Sequence, residues 1–107
     1  MFTKVSGGVD GMMCNHKVTG KGRFNCKKGG LVENSCWKQC SELDYCMGFG
    51  IGSFKGQDKC WLFVSEARCP ANWESFGIAG TVALNGDDLI AGEDPGSCYA
   101  KVVPGNL

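Results

Sequence analysis

The spacing of apolar residues before position 45 predicts one short helix. Cys36 and Cys40 lie one helical turn apart, and Leu43 continues the same face one turn later. Asn34 or Ser35 is a suitable N-cap, so we expect a helix of about two turns running from about Cys36 to Leu43. Because both cysteines project from one face, both can reach a neighbouring sheet.

A β-hairpin is predicted directly after the helix. Residues 47–54 alternate large and tiny side chains with the two-residue period of a strand, which places Phe49 and Ile51 on one side. Residues 55–59 form a polar turn, and residues 60–64 return as the second strand.

The returning strand has two apolar faces. Cys60, Leu62 and Val64 share one face, and Trp61 and Phe63 share the other. If the first face meets the helix, the aromatic pair must be covered by another layer of the chain, by its tail or by a partner.

The remaining segments have weaker patterns. They predict a lead-in or first strand at residues 1–13, a hairpin at 17–24, a break at 28–30, a strand at 77–84, a turn at 85–86, an acidic loop at 87–94 and a closing strand at 97–103. No internal repeat and no linker divides the chain, so residues 1–107 are expected to form a single domain.

The cysteine content is typical of small disulfide-rich proteins. The chain has eight cysteines, seventeen glycines and three prolines in 107 residues. An even number at this density predicts complete pairing, so we expect a secreted, extracellular or cell-surface protein. No apolar run is long enough to span a bilayer, and the start lacks the apolar stretch of a signal peptide, which predicts a processed product or a domain of a longer protein.

Charge is balanced overall but divided along the sequence. Residues 1–30 carry a net charge of +5, and residues 31–107 carry a net charge of −5. This division permits attraction to sulfated or acidic glycans, or self-association through oppositely charged surfaces, while two solvated loops are the alternative. Zero net charge and secretion-type cysteines argue against a nucleic-acid partner.

The reactive side chains do not form an enzyme motif. The cysteines lack the closely spaced pairs of zinc ribbons. His16 lies two residues after Cys14, and a cysteine with a nearby histidine could act as a nucleophile. The carboxylates at residues 87–94 could offer oxygen ligands to calcium, but their spacing differs from that of an EF-hand loop. We therefore predict a protein that is not an enzyme and has no metal or cofactor.

Aromatic and basic side chains are stronger candidates for ligand recognition, because flat rings supply contact area at little conformational cost. Trp73 and Tyr99 are considered with this group, and the alternative is that the rings complete the core. The residues predicted to contact a ligand are Trp61, Phe63, Trp37, Lys21, Lys27 and Lys28.

The centre of the chain resembles the PAN/apple domain family. That family has a helix with cysteines four apart, then a Cys-x-x-Phe strand, then Cys-x-Leu. The match covers residues 31–65, and the corresponding residues are Cys36, Cys40, Cys46, Phe49, Cys60 and Leu62. The resemblance implies an α+β module in which one short helix packs on a twisted antiparallel sheet.

The resemblance also implies a disulfide framework. Two nested bridges are expected, Cys36–Cys60 tying the helix to the sheet and Cys40–Cys46 closing the C-terminus of the helix. The other four cysteines allow three pairings. Many apple domains join a cysteine near each end, which favours Cys14–Cys98 together with Cys26–Cys69.

Two functional hypotheses follow. Because the family's uses are adhesion and recognition, the first is an extracellular binding module, without enzymatic activity, that engages a glycan or a protein partner. The second is a structural subunit of an extracellular filament or coat, motivated by the divided charge, since complementary surfaces on one chain give contacts that can propagate.

Overall fold

The chain forms one helix and eight strands in the part that the computed structural model describes, which is residues 2–6, 12–16, 25–54, 56–66, 68–76 and 89–101. The elements are β1 (Phe2–Ser6), β2 (Met12–His16), β3 (Asn25–Gly29), α1 (Glu33–Glu42), β4 (Cys46–Phe54), β5 (Gln57–Val64), β6 (Glu74–Phe76), β7 (Leu89–Pro95) and β8 (Ser97–Lys101). The hairpin predicted at 17–24, the strand at 77–84 and the turn at 85–86 lie outside the described residues.

Six of these strands form an antiparallel sheet in the order β1-β8-β4-β5-β3-β6, and β2 pairs with β7 in a second, two-stranded antiparallel sheet. Helix α1 packs against the neighbouring strands β4 and β5. Over the described residues the protein is therefore a small, disulfide-rich α+β module with one helix and a six-stranded antiparallel sheet.

The predicted hairpin is confirmed as the pair β4 and β5. The two strands are paired up to Phe54 and Gln57, so only two residues connect them. Gly56, one of these two, has a φ of 77°, which glycine adopts without the steric cost that a side chain brings. Strand β5 begins three residues before the predicted position because the pairing with β4 continues to the turn.

The two faces of β5 contribute to two separate cores, as the alternation of its side chains predicts. On the helix side, Leu62 and Val64 are buried together with Phe49 and most of the cysteines. On the other side, Phe63 is buried with Cys14 and Cys98, and Trp61 packs against this group. Cys14 belongs to β2, so the second sheet supplies part of the layer that covers the aromatic pair.

Four disulfides cross-link the fold, and all eight cysteines are paired. The bridges are Cys14–Cys98, Cys26–Cys69, Cys36–Cys60 and Cys40–Cys46, which are the pairs favoured above. Cys36–Cys60 connects the helix to β5, and Cys14–Cys98 connects the two sheets. Each layer is therefore covalently attached to the six-stranded sheet.

The predicted start and cap of the helix are wrong. The helix begins at Glu33 with Val32 at the N-cap position, where no side chain caps it, so Asn34 and Ser35 lie inside the first turn. Two interactions of Glu33 favour the earlier start of the helix. Glu33 places a negative charge at the positive end of the helix dipole, and its carboxylate accepts a hydrogen bond from Tyr99 of β8. Tertiary contacts thus outweigh the cap preference.

The C-terminal end of the helix is held by a lysine from the sheet. Lys101 of β8 donates hydrogen bonds through Nζ to the carbonyl oxygens of Cys40, at 3.2 Å, and Leu43, at 3.0 Å. A cation is favourable at this end of a helix dipole. Burial lowers the pKa of Lys101, and the negative charge of Asp44 acts in the opposite direction.

Three further segments differ from the sequence-based expectation. The break predicted at 28–30 is wrong for its first two residues, because β3 continues to Gly29 and the chain turns at Gly30, where φ is 81°. Pairing with strands on both sides holds β3 extended despite its weak strand propensity. The acidic loop is wrong at Glu93 and Asp94, which belong to β7, and the short strand β6 was not predicted.

Candidate functional site

A groove of about 350 Å³ lies between the first half of helix α1 and strands β4 and β8. Its lining combines a carboxylate, an amide and three aromatic rings. The lining residues are Glu33, Asn34, Trp37, Phe49 and Tyr99. This groove is the candidate binding site.

The helix supplies one wall of the groove. Glu33, Asn34 and Trp37 occupy positions that are neighbours on a helix surface, since residues three and four apart lie one above the other. Cys36 and Cys40 lie on the adjacent face of the helix and are completely buried against the sheet. The disulfides therefore fix the rotation of the helix, and this rotation directs the polar groups and the indole toward the groove.

The indole of Trp37 is the most accessible ring in the groove. Its side chain is 46% exposed, and only Val32 shares the class of large exposed apolar residues in the described part of the chain. The ring is supported on one side by Phe2 of β1, against which it packs edge-on with 6.0 Å between the ring centroids. An exposed but supported indole offers a flat apolar surface to a ligand.

Stacked rings form the floor of the groove. Phe49 is buried and lies parallel to Tyr99, with 4.8 Å between the centroids and 14° between the planes. Phe2 contacts the same Phe49 ring edge-on at 5.1 Å. Aromatic pairs in these geometries stabilise a fold by more than the burial of their surface area alone would. The floor is consequently a rigid part of the helix-side core.

The hydroxyl of Tyr99 connects the floor to the helix wall. It donates a hydrogen bond to Oε1 of Glu33, and this bond, partial burial and the negative charge of the carboxylate raise the pKa of Tyr99 to about 12. On the ring of Tyr99, the Lys4 ammonium lies 6.0 Å from the centroid. The carboxylate position is thereby fixed at the edge of the groove.

Replacing Glu33 by glutamine is expected to lower the pKa of Tyr99 from about 12 toward its ordinary value of about 10, because the amide accepts a weaker hydrogen bond and has no charge. The measurement is a spectrophotometric titration of tyrosinate in a Tyr45→Phe background, which leaves Tyr99 as the only tyrosine. An unchanged titration curve in Glu33→Gln would contradict this hydrogen bond.

The direction of the pKa shift also predicts how stability depends on pH. The folded-state pKa lies above the unfolded value of about 10, so this bond stabilises the fold fully below about pH 10. Its contribution is lost as the pH rises through about 12. In Glu33→Gln, stability is expected to vary less over this interval.

The structure places the predicted ligand-contacting residues on different surfaces. Trp37 lines the groove, and Tyr99, considered with it, forms part of the floor. Phe63 is 2% exposed and Trp61 packs beside it in the other core, on the far side of the sheet. Trp73 is half-buried against the helix-side core.

The predicted basic residues lie outside the groove. Lys27 and Lys28 belong to β3, where Lys27 Nζ is 3.7 Å from Oε2 of Glu74 and Lys28 Nζ is 5.9 Å from the centroid of the Trp73 ring. Lys21 lies outside the described residues. The basic side chains of β3 therefore do not contribute to the site that contains Trp37.

Glu33 and Asn34 are the groove residues that the sequence analysis missed as ligand contacts. Their signal was present, since they precede Trp37 by four and three residues, but the helix was expected to start after them. A helix beginning at Glu33 places all three on one face. The error in the helix start therefore hid the polar half of the site.

The structure bears on part of the alternative chemistry suggested by the sequence, and Asp87 and Asp88 of the candidate calcium loop lie outside the described residues. Cys14 is bonded to Cys98, so it has no thiol with which His16 could form a nucleophilic pair. Among the described residues, no group of three or more histidine, cysteine or acidic side chains is arranged to hold a metal ion. Within the same residues, no helix has the length and apolar character needed to cross a bilayer.

Comparison of the chain with models of known protein families gave no match, and comparisons with curated proteins and with solved structures gave none either. The PAN/apple resemblance therefore stays a prediction that rests on the residues of the helix and the hairpin.

Proposed function

We propose that this protein is an extracellular binding module, without enzymatic activity, that recognises a glycan in the groove beside helix α1. The observation that carries the proposal is the exposed indole of Trp37 next to the carboxylate of Glu33 and the amide of Asn34. The resemblance to PAN/apple domains agrees with a role in recognition.

The side chains of the groove match the two chemical faces of a sugar. A pyranose ring presents C–H groups on its flat side, and these stack on an indole, while its hydroxyls exchange hydrogen bonds with carboxylate and amide groups. Asn34 can donate and accept, and the Glu33 carboxylate keeps acceptor positions that the single bond from Tyr99 does not use. One sugar unit could thus contact all three helix residues.

A glycan fits the described surface better than a protein partner. Stable protein interfaces bury about 1,600 Å² in total and centre on large apolar or aromatic anchors. In the described residues, Val32 and Trp37 are the large apolar side chains that are exposed. A single exposed ring in a small groove is sufficient for a sugar but provides little anchoring for a protein.

The disulfides support the extracellular part of the proposal. Four bridges in 107 residues form and persist in oxidising compartments, whereas cytosolic proteins keep their thiols reduced. Secretion or display on a cell surface would also bring the groove into contact with extracellular glycans.

Replacing Trp37 by alanine is expected to weaken glycan binding at least about 10-fold, because the stacking surface is lost while the helix remains attached by its two cysteines. The measurement is a glycan array with the wild-type protein, followed by titration calorimetry on the best ligand. Lys38→Ala, also exposed and adjacent in sequence, is the matched control and should bind normally. Equal binding by Trp37→Ala and wild type would reject this site.

The alternative function, a subunit of an extracellular filament or coat, rests on the divided charge of the sequence. The ion pair between Lys27 and Glu74 neutralises one basic side chain of the N-terminal segment within the molecule. If self-association occurs through charge, light scattering at high protein concentration should decrease as salt is added. A salt-independent monomer would contradict this alternative.

A further inference from the structure

We propose that the groove prefers sugars with a protonated amine, such as glucosamine units, over neutral sugars of the same shape. The inference rests on the proposed function and names the class of glycan. It is carried by the charge and the exposed ring of the helix wall, which together form a site for a cation.

The carboxylate of Glu33 forms no ion pair with a cationic side chain in the described part of the chain. The ion pairs found there involve Lys27 with Glu74 and Arg68 with Glu66, and neither includes Glu33. The Tyr99 hydroxyl donates one hydrogen bond to the carboxylate but leaves its charge in place. A ligand ammonium group would therefore find a negative charge that is not already paired.

Trp37 offers the second half of a cation site. A cation over the face of an indole is attracted by the ring quadrupole, and tryptophan is the most favourable ring for this contact. Trp37 and Glu33 are four residues apart on the helix, so their Cβ atoms are about 5–6 Å from each other. One ammonium group can therefore lie against the ring and beside the carboxylate at once.

The same molecule already places ammonium groups over aromatic rings. Lys4 lies over Tyr99 at 6.0 Å and Lys28 over Trp73 at 5.9 Å, whereas no cation lies over Trp37 among the described residues. The lysines of β3 are not in the groove, and Lys4, although it lies over Tyr99, is not among the lining residues. Glu33 is the charged residue of the lining, which therefore favours positive ligands rather than the acidic glycans suggested by the sequence charge. The negative charge of Glu33 therefore favours a sugar with a protonated amine over a neutral or acidic sugar.

Two oligosaccharides with the same backbone test the inference, an oligomer of glucosamine and an oligomer of N-acetylglucosamine of equal length. Calorimetry at about pH 5.5 keeps the amine of the glucosamine oligomer protonated. We expect wild type to bind the glucosamine oligomer about 3- to 10-fold more tightly, and added salt to reduce this difference.

Glu33→Gln separates charge from shape, because glutamine keeps an acceptor for the Tyr99 hydroxyl. The readout is the ratio of the two affinities, which should fall to about 1 in this variant even if both oligomers bind more weakly, because an amide has no charge to attract the amine. Glu42→Gln, at the other end of the helix, should keep the preference. The inference would be overturned if wild type bound the acetylated oligomer equally or more tightly, or if the preference for the amine survived in Glu33→Gln. It would also be overturned if wild type bound other glycans but neither of these oligomers. Failure of wild type to bind any glycan would instead reject the proposed function.

Discussion

Removal of the disulfide between Cys36 and Cys60, by alanine at both positions, is expected to lower the free energy of unfolding by about 3.5 kcal/mol. The bridge closes a loop with a sequence separation of 24 residues and connects helix α1 to strand β5. Without it the unfolded chain gains conformational freedom, and the helix keeps only noncovalent contacts with the sheet. The measurement is equilibrium unfolding in urea.

The matched control is alanine at both Cys40 and Cys46, which removes a bridge with a sequence separation of 6 residues. Because a shorter loop restricts the unfolded chain less, the expected loss is about 2.4 kcal/mol. Cys26–Cys69 encloses both loops and already restrains the unfolded chain, so these values are upper limits and the order is the sharper prediction. A larger loss from Cys40 and Cys46 would contradict it.

The hairpin and the helix-side core could be predicted because local patterns determine them. Alternating residues specify the two faces of β5, and a two-residue connection joins it to β4. The helix was identified from Cys36 and Cys40, which share its buried face. In these segments, local periodicity and tertiary contacts favour the same structure.

Strand β3 and the start of the helix could not be predicted because distant partners determine them. Residues 25–29 contain no strand pattern, yet β5 and β6 pair with them on both sides. Glu33 joins the helix where Tyr99, 66 residues away, donates a hydrogen bond to its carboxylate. Propensity is a weak guide where such contacts decide the backbone.

The candidate site was only partly predictable for the same reason. Trp37 and Tyr99 were identified as rings that could contact a ligand, but they are far apart in sequence and nothing local indicates that they share a groove. Phe63 and Trp61 have equally aromatic character and lie in the opposite core. Which face of a sheet stays accessible depends on the part of the chain that covers it. The face that carries Phe63 and Trp61 is covered in part by β2, which contains Cys14.

Replacing Phe49 by alanine is expected to destabilise the fold by about 3–5 kcal/mol, which is the usual cost of deleting a fully buried phenylalanine. Its side chain is 1% exposed and contacts the rings of Phe2 and Tyr99. The substitution removes both ring contacts and leaves a cavity under helix α1. Thermal and urea unfolding measure the loss, and Trp37→Ala is the aromatic control on the exposed side of the same cluster.

The comparison separates the role of the floor from that of the wall. Because Trp37 is 46% exposed, its replacement should cost less than about 1 kcal/mol of stability while still weakening glycan binding. Phe49→Leu, which refills most of the volume, should recover a large part of the stability lost in Phe49→Ala. If Phe49→Ala were no more destabilising than Trp37→Ala, Phe49 would not be the buried support on which the groove depends.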